Sequence, residues 1–261
     1  MIYMTDAYVN GAAAPGKALT HARILWDNLP GAITASSEAD GRAAERAGQI
    51  DTASWWEPTS APGWWVITYA QPQEVDSVGI AAHTLNGATV TVEGYIGSSW
   101  VELIEVTPAD KSALMLMFER VTVTAIRITI SATRRIGVIY TGLALVMPRA
   151  GYAALGMVDL GREAELTSYV SEGGQLLKRI IQRSGLSREC RWDNLPEDWY
   201  RSSFDPFALT ARTEPFFIAS RPKGYPTDCA YCWVDAPIVP ERMGLKNFLS
   251  VGFTVKGHAH E

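Results

Sequence analysis

Hydrophobic and polar residues alternate with period two over long reaches of this chain. ATVTVEGYI at Ala88–Ile96 and VTVTAIRITI at Val121–Ile130 both alternate, and WVELIEV at Trp100–Val106 follows the first across a Gly-Ser-Ser turn. The run IGVIYTGLALVM at Ile136–Met147 is apolar, too short to cross a bilayer and broken by two glycines, so it reads as paired core strands. Short strands separated by Gly, Pro, Asn and Ser predict an antiparallel sandwich or jelly roll from about Leu19 to Met147.

The pattern changes after about Gly151. SEGGQLLKRIIQRSG at Ser171–Gly185 suits either a strand crossing a glycine kink or a short helix. Tyr200, Phe204, Phe207, Ala208 and Ala211 fall at i, i+4, i+7, i+8 and i+11, a helical stripe. Pro206 would break one continuous helix, so the spacing predicts a turn at Glu197–Arg201 and then a helix near 205–212, capped by Asp205 with Pro206 in its first turn. Strands follow at PFFIASRP, CAYCWV and FLSVGFTVKG. The fold class expected is therefore mainly β, with a second β-rich sandwich that carries a short helix.

The pentapeptide WDNLP occurs twice, at Trp26–Pro30 and Trp192–Pro196, each with a Ser-Ser pair six and seven residues beyond its proline. The contexts differ, small and polar after the first and aromatic after the second. The repeat reads as a shared local turn, not as a duplicated domain.

Composition narrows the function classes. The 261 residues are 47% hydrophobic and 20% charged, enough for a sizeable core. A net charge of −5 leaves no basic footprint for nucleic acid or anionic lipid, and Arg134-Arg135 and Lys178-Arg179 are short basic pairs. The first residues lack the basic start and continuous apolar stretch of a secretory signal, which leads to the expectation of a protein made in a cytosol, without membrane insertion. Cys229 and Cys232 form a C-x-x-C, but a strand would turn residues three apart to opposite faces, and no second ligand pair accompanies them. No metal or cofactor is expected. G-x-S-x-G, Walker, H-E-x-x-H and dinucleotide motifs are missing. His258 and His260 fall in what reads as a frayed tail, and His21 and His83 have no sequence neighbour that suggests a nucleophile and base, so no catalytic role is expected.

The first half resembles the discoidin-type domains, the galactose-binding-like jelly rolls of carbohydrate-binding modules. The residues that carry the likeness are Ala35-Ser36-Ser37, Asp51, Ser54 with Trp56, Trp64, Pro72 and Val75, then Trp100 on a return strand and Arg127 in the closing strands. Thr68-Tyr69-Ala70 replaces the Asp-Leu-Gly usual after the Trp64-type strand. Gly142-Leu143-Ala144 stands where many members place a calcium-binding Glu, so calcium is not expected. The resemblance puts Trp56, Trp64 and Trp100 in the core, which leaves Trp55 and Trp65, with Arg134 and Arg135, as glycan-binding candidates.

The second half, from SEGGQLLKRIIQRSG through the aromatic segment to FLSVGFTVKG, resembles the ring-forming domains of tailed-bacteriophage distal-tail or baseplate proteins. Together the two resemblances imply residues 1–18 as an arm or linker, 19–148 as a discoidin-like jelly roll and 149–261 as a tail-ring-type sandwich. They imply a virion tail subunit assembled in the host cytoplasm. Its partners would be copies of itself, other phage tail proteins and host-surface polysaccharide. Trp199, Tyr200, Phe216 and Phe217 are then the interface candidates. The alternative is a carbohydrate-binding adsorption protein or bacterial lectin.

Overall fold

A computed structural model describes residues 1–11, 18–151, 158–244 and 247–258. The strands in chain order are β1 (Ile2–Met4), β2 (Arg23–Leu25), β3 (Ala32–Ala35), β4 (Gly63–His83), β5 (Val90–Ile96), β6 (Ser99–Val106), β7 (Leu114–Ile130), β8 (Ile136–Gly142) and β9 (Leu145–Val146). They continue as β10 (Arg162–Val170), β11 (Leu176–Pro196), β12 (Phe216–Ala219), β13 (Cys229–Val234), β14 (Pro240–Arg242) and β15 (Phe248–His258). Two sheets result. The first runs β3-β4-β7-β5-β6, with β8 on β4 and β1 on β7. The second runs β10-β11-β15-β13-β12-β2-β9, with β14 on β15. The chain is mainly β, as the alternation predicts.

The first sheet folds over on itself. The N-terminal part of β4 pairs with the C-terminal part of β7, Trp65 opposite Ile128, and after a register shift Val78 lies opposite Leu116. Side chains of both halves, among them Trp65, Ile67, Val78 and Ile80, line one core with Val92 and Ile128. This makes a sandwich whose layers share their two longest strands.

Pairing divides the chain differently from composition. β2 pairs with β12 and β9 with β2, so both belong to the second sheet. β1, expected in an arm, pairs in parallel with β7, Tyr3 opposite Leu116. The boundary expected at residue 19 therefore does not follow the strands. The unit built on the first sheet is inserted between β2 and β9. Its exit and return strands lie side by side, since Leu29 N–H donates to the Thr141 carbonyl at 3.2 Å and Thr141 N–H to Asn28 Oδ1 at 3.3 Å. Ile136–Met147 is accordingly two strands serving different sheets, not a pair.

The two copies of WDNLP do different work. The first carries the chain from the second sheet to the first. The second sits inside β11, where a register shift between Trp192 and Leu195 leaves Asn194 at φ +58°, a left-handed conformation that Asn tolerates. Both tryptophans pack on the second core, Trp192 fully buried and Trp26 with its ring 6.2 Å from Phe207.

The helical stripe is confirmed, since Tyr200, Phe204, Phe207, Ala208 and Ala211 are all buried. The break before it is not observed. Glu197–Trp199, a π turn over Tyr200–Phe204 and Asp205–Thr210 form one helical run. Asp205 is a helical residue and caps nothing; its N–H reaches back to Tyr200 O, and this wide turn takes Pro206 without ending the helix. Ser171–Gly185 settles as the tip and inner strand of a hairpin, with Gly174 N–H on Ser171 O at 2.9 Å and Gly174 at φ +78°. The closing strand runs to His258, whose backbone pairs with Gly185, so that residue is not frayed; His260 lies outside the described residues.

A third buried cluster joins the two units. Ile2, Met115, Val138 and Tyr140 from the first meet Leu25, Phe217, Cys229 and Tyr231 from the second. The Tyr140 and Phe217 rings stand edge to face at 5.5 Å, and Tyr231 donates to the Ile50 carbonyl at 2.7 Å. Burial pushes the Tyr140 hydroxyl up to about 12. Cys229 lies in this seam and Cys232 in the second core, on opposite faces of β13 as a strand requires. Burial pushes the Cys229 thiol up to about 11 and the Cys190 thiol up to about 12.

Candidate functional site

Two surface features stand apart from this packing. One is an arginine–tryptophan cluster on the first unit. Trp56 forms an isolated antiparallel bridge with Ile136, its backbone N–H on Ile136 O at 2.9 Å, and its indole points inward to donate to Ser37 O at 3.0 Å. The preceding residue must then face outward, and Trp55 does so, half-buried. The bridge also fixes Arg135, whose N–H donates to Thr84 Oγ1 at 3.2 Å.

Over the Trp55 ring lie two guanidiniums, Arg42 at 3.5 Å from the ring centre and Arg135 at 5.0 Å. The indole Nε1 donates to Glu57 Oε2 at 3.2 Å, which fixes the ring plane. Arg134 is exposed beside Arg135. None of the eight ion pairs among the described residues includes Arg42, Arg134 or Arg135.

Three of the sequence expectations are corrected here. Trp65 is 1% exposed, part of the sandwich core, and donates to Ala44 O at 3.0 Å, so it reaches no ligand. Trp64, expected in the core, is 37% exposed. In Gly63–Ile67 apolar residues fill both phases of the strand, so alternation could not choose between the two tryptophans; the choice is made by the acceptor that Ala44 offers. Trp100, expected in the core, is half-exposed, with Tyr95 edge-on at 5.2 Å and Arg127 over its ring at 4.4 Å. Arg42 was missed by sequence reasoning. It lies in a loop remote from Trp55 in sequence, and no spacing rule joins them.

Asp51, the acidic residue of the discoidin-like turn, closes that turn on itself. Its carboxylate accepts from the N–H groups of Ala53 and Ser54, both at 2.8 Å, and from the Ser54 hydroxyl at 2.7 Å. These bonds, the Ser54 hydroxyl first, hold its carboxyl below the usual range. Among the described residues no group of three or more His, Cys, Asp or Glu is placed to hold a metal ion.

The second feature is the hairpin of β10 and β11. Seven large apolar residues of this hairpin, from Leu166 to Ile181, are between 36% and 67% exposed. Leu166 is paired with Ile181 and Val170 with Leu176, which puts both pairs on one face. On the other face Glu165 lies across from Arg183, their charged groups 3.8 Å apart. β10 ends the second sheet, so its outer edge is unpaired among the described residues.

The residues expected at an interface lie elsewhere. Phe216 and Phe217 are fully buried, the first in the second core and the second in the seam; Tyr200 is 4% exposed, and Trp199 packs half-buried on the same core. Aromatic content marked the core of this unit, and the exposed apolar surface of its hairpin is aliphatic apart from Tyr169.

No family description matches the chain, and no curated protein does. Solved structures match part of the chain. A pectin-binding carbohydrate-binding module matches at 19% identity with a TM-score of 0.39, covering 44% of this chain and 91% of the module. A chitosan-binding module of a Paenibacillus sp. IK-5 chitosanase/glucanase matches at 20% and 0.40, covering 44% and 98%. The family 32 module of C. perfringens NanJ in complex with galactose matches at 16% and 0.39, covering 42% and 91%.

Proposed function

We propose that this protein is a structural subunit that assembles with copies of itself, in the manner of a tail-tip or baseplate ring subunit of a tailed bacteriophage. The observation that carries the reading is the exposed apolar hairpin. At roughly half of the ~150–200 Å² that a large apolar side chain offers, Leu166, Val170, Leu176 and Ile181 on one face leave on the order of 300 Å² open. That lies within the range of the largest patch on ordinary monomers, which is often a functional one. A lone two-stranded ribbon is marginal in water, and a partner would cover it. The second sheet ends in two unlike edges, β10 and β9, which suits a head-to-tail contact that closes into a ring. In this account the protein acts by complementary packing, without catalysis, and the virion tail is its destination.

The buried seam supports the same reading, because it makes the inserted unit a rigid outrigger of the assembling sheet. Electron micrographs of the purified protein test it. Ring-shaped particles are expected, and a field of particles the size of one chain would count against it.

A second reading, contact with a surface glycan, is favoured by the Trp55 cluster, where three arginines without ion-pair partners gather on the inserted unit. The two readings are compatible in one molecule.

A further inference from the structure

The geometry points to an anionic polysaccharide, one carrying uronate-type carboxylates, as the ligand class of the Trp55 cluster. This rests on the glycan-contact reading above and goes beyond it by naming the charge of the sugar.

The argument begins with what the indole can still offer. A neutral pyranose binds tryptophan by stacking on an open ring face. Arg42 sits 3.5 Å over the Trp55 ring, so that face is occupied. A guanidinium stacked in this way keeps its N–H groups in its own plane, aimed past the ring edge. The ring thus orients donors instead of receiving a sugar. Arg135, over the same ring at 5.0 Å, brings a second set within reach of one ligand group. A planar fork of N–H donors matches a carboxylate, which accepts two parallel hydrogen bonds.

Charge accounting gives an independent argument. The chain is acidic overall, at −5, yet Arg42, Arg134 and Arg135 gather here while every ion pair among the described residues lies elsewhere. Glu57, whose Oε2 accepts from the Trp55 indole, sets one negative charge against the two guanidiniums over that ring, which leaves the cluster net positive. A local cationic site on an acidic protein favours an anion at that place without attracting polyanions generally.

The test is affinity electrophoresis of the full chain in gels containing polygalacturonate, fully methyl-esterified polygalacturonate or dextran sulfate. Arg42→Gln and Arg135→Gln are compared with Arg212→Gln, an exposed arginine outside both the cluster and the hairpin. The expected result is retardation by polygalacturonate alone, weakened by about tenfold in either cluster variant, the scale of one charge-assisted hydrogen bond, and unchanged in Arg212→Gln. Arg135 is exposed, so its variant remains informative if Arg42→Gln fails to fold. Equal retardation by the methyl ester would overturn the anionic class and leave glycan contact standing. Retardation by dextran sulfate that survives both cluster variants would overturn it as non-specific charge binding. No retardation by either polysaccharide would overturn the glycan reading itself.

Discussion

Gly79 of β4 lies so close to Phe217 of β12 that a Cβ on the glycine would stand 2.6 Å from the phenylalanine ring. The two residues belong to different sheets, and their contact lies in the seam between the two units. Gly79→Ala should destabilise the protein by about 1–3 kcal/mol through overpacking. Phe217→Ala, which opens a cavity there instead, should cost about 3–5 kcal/mol. If the seam couples the units, chemical denaturation of either variant remains a single transition. Two separate transitions would show units that fold independently.

The exchanged roles of Trp64 and Trp65 make a clean comparison. Trp65→Ala should cost about 3–5 kcal/mol, because it removes a buried indole and leaves the Ala44 carbonyl without its donor. Trp64→Ala, on the solvent face, should shift stability by about 0.5 kcal/mol or less. Thermal melts of the two variants decide between this assignment and its reverse.

Arg127 holds Glu93 in a two-pronged pair across β5 and β7, with both N–O distances at 2.6 Å. Hydrogen bonding from Arg127 is the main reason the Glu93 carboxyl titrates below its ordinary range. A carboxylate lowered in the folded state adds stability above the ordinary glutamate range and loses it as pH falls through the folded value. Glu93→Gln should therefore melt below the parent at pH 7, by about 0.5–1 kcal/mol given the partial exposure of the pair. The gap should close as the pH is taken down towards 3, and a gap constant across this range would remove the pair from the account.

The three cysteines are buried in the cores, and burial raises their thiols. The native protein should resist alkylation at pH 8 and react fully after denaturation. Fast modification of Cys229 without denaturant would mean that the seam opens, and of Cys232 that the second core does.

Much of the fold could be read from the chain, and the reasons are local. The strands around Val90–Ile96 and Ser99–Val106, the aromatic stripe of the helix and the opposite faces of Cys229 and Cys232 all follow from periodicity within one element. The insertion did not follow, because β2 is a three-residue strand whose place is decided by Phe217–Ala219, far away in sequence. The hairpin was ambiguous for a related reason. Leu176, Leu177, Ile180 and Ile181 fit either a strand or a helix, and nothing in their spacing says that they remain exposed. At the Trp55 cluster, Trp55 and Arg135 could be picked out by residue type, whereas Arg42 required the loop in three dimensions.

Assembly through the hairpin is the central claim, and the mass of the protein in solution tests it most directly. Light scattering coupled to size exclusion, run over a concentration series, compares the parent with Leu177→Asp/Ile181→Asp, both exposed positions outside the buried cores. The account predicts a discrete closed oligomer of the 28.5 kDa chain that falls to monomer in the double variant. A parent that stays monomeric at every concentration, or an oligomer indifferent to the two aspartates, would contradict it.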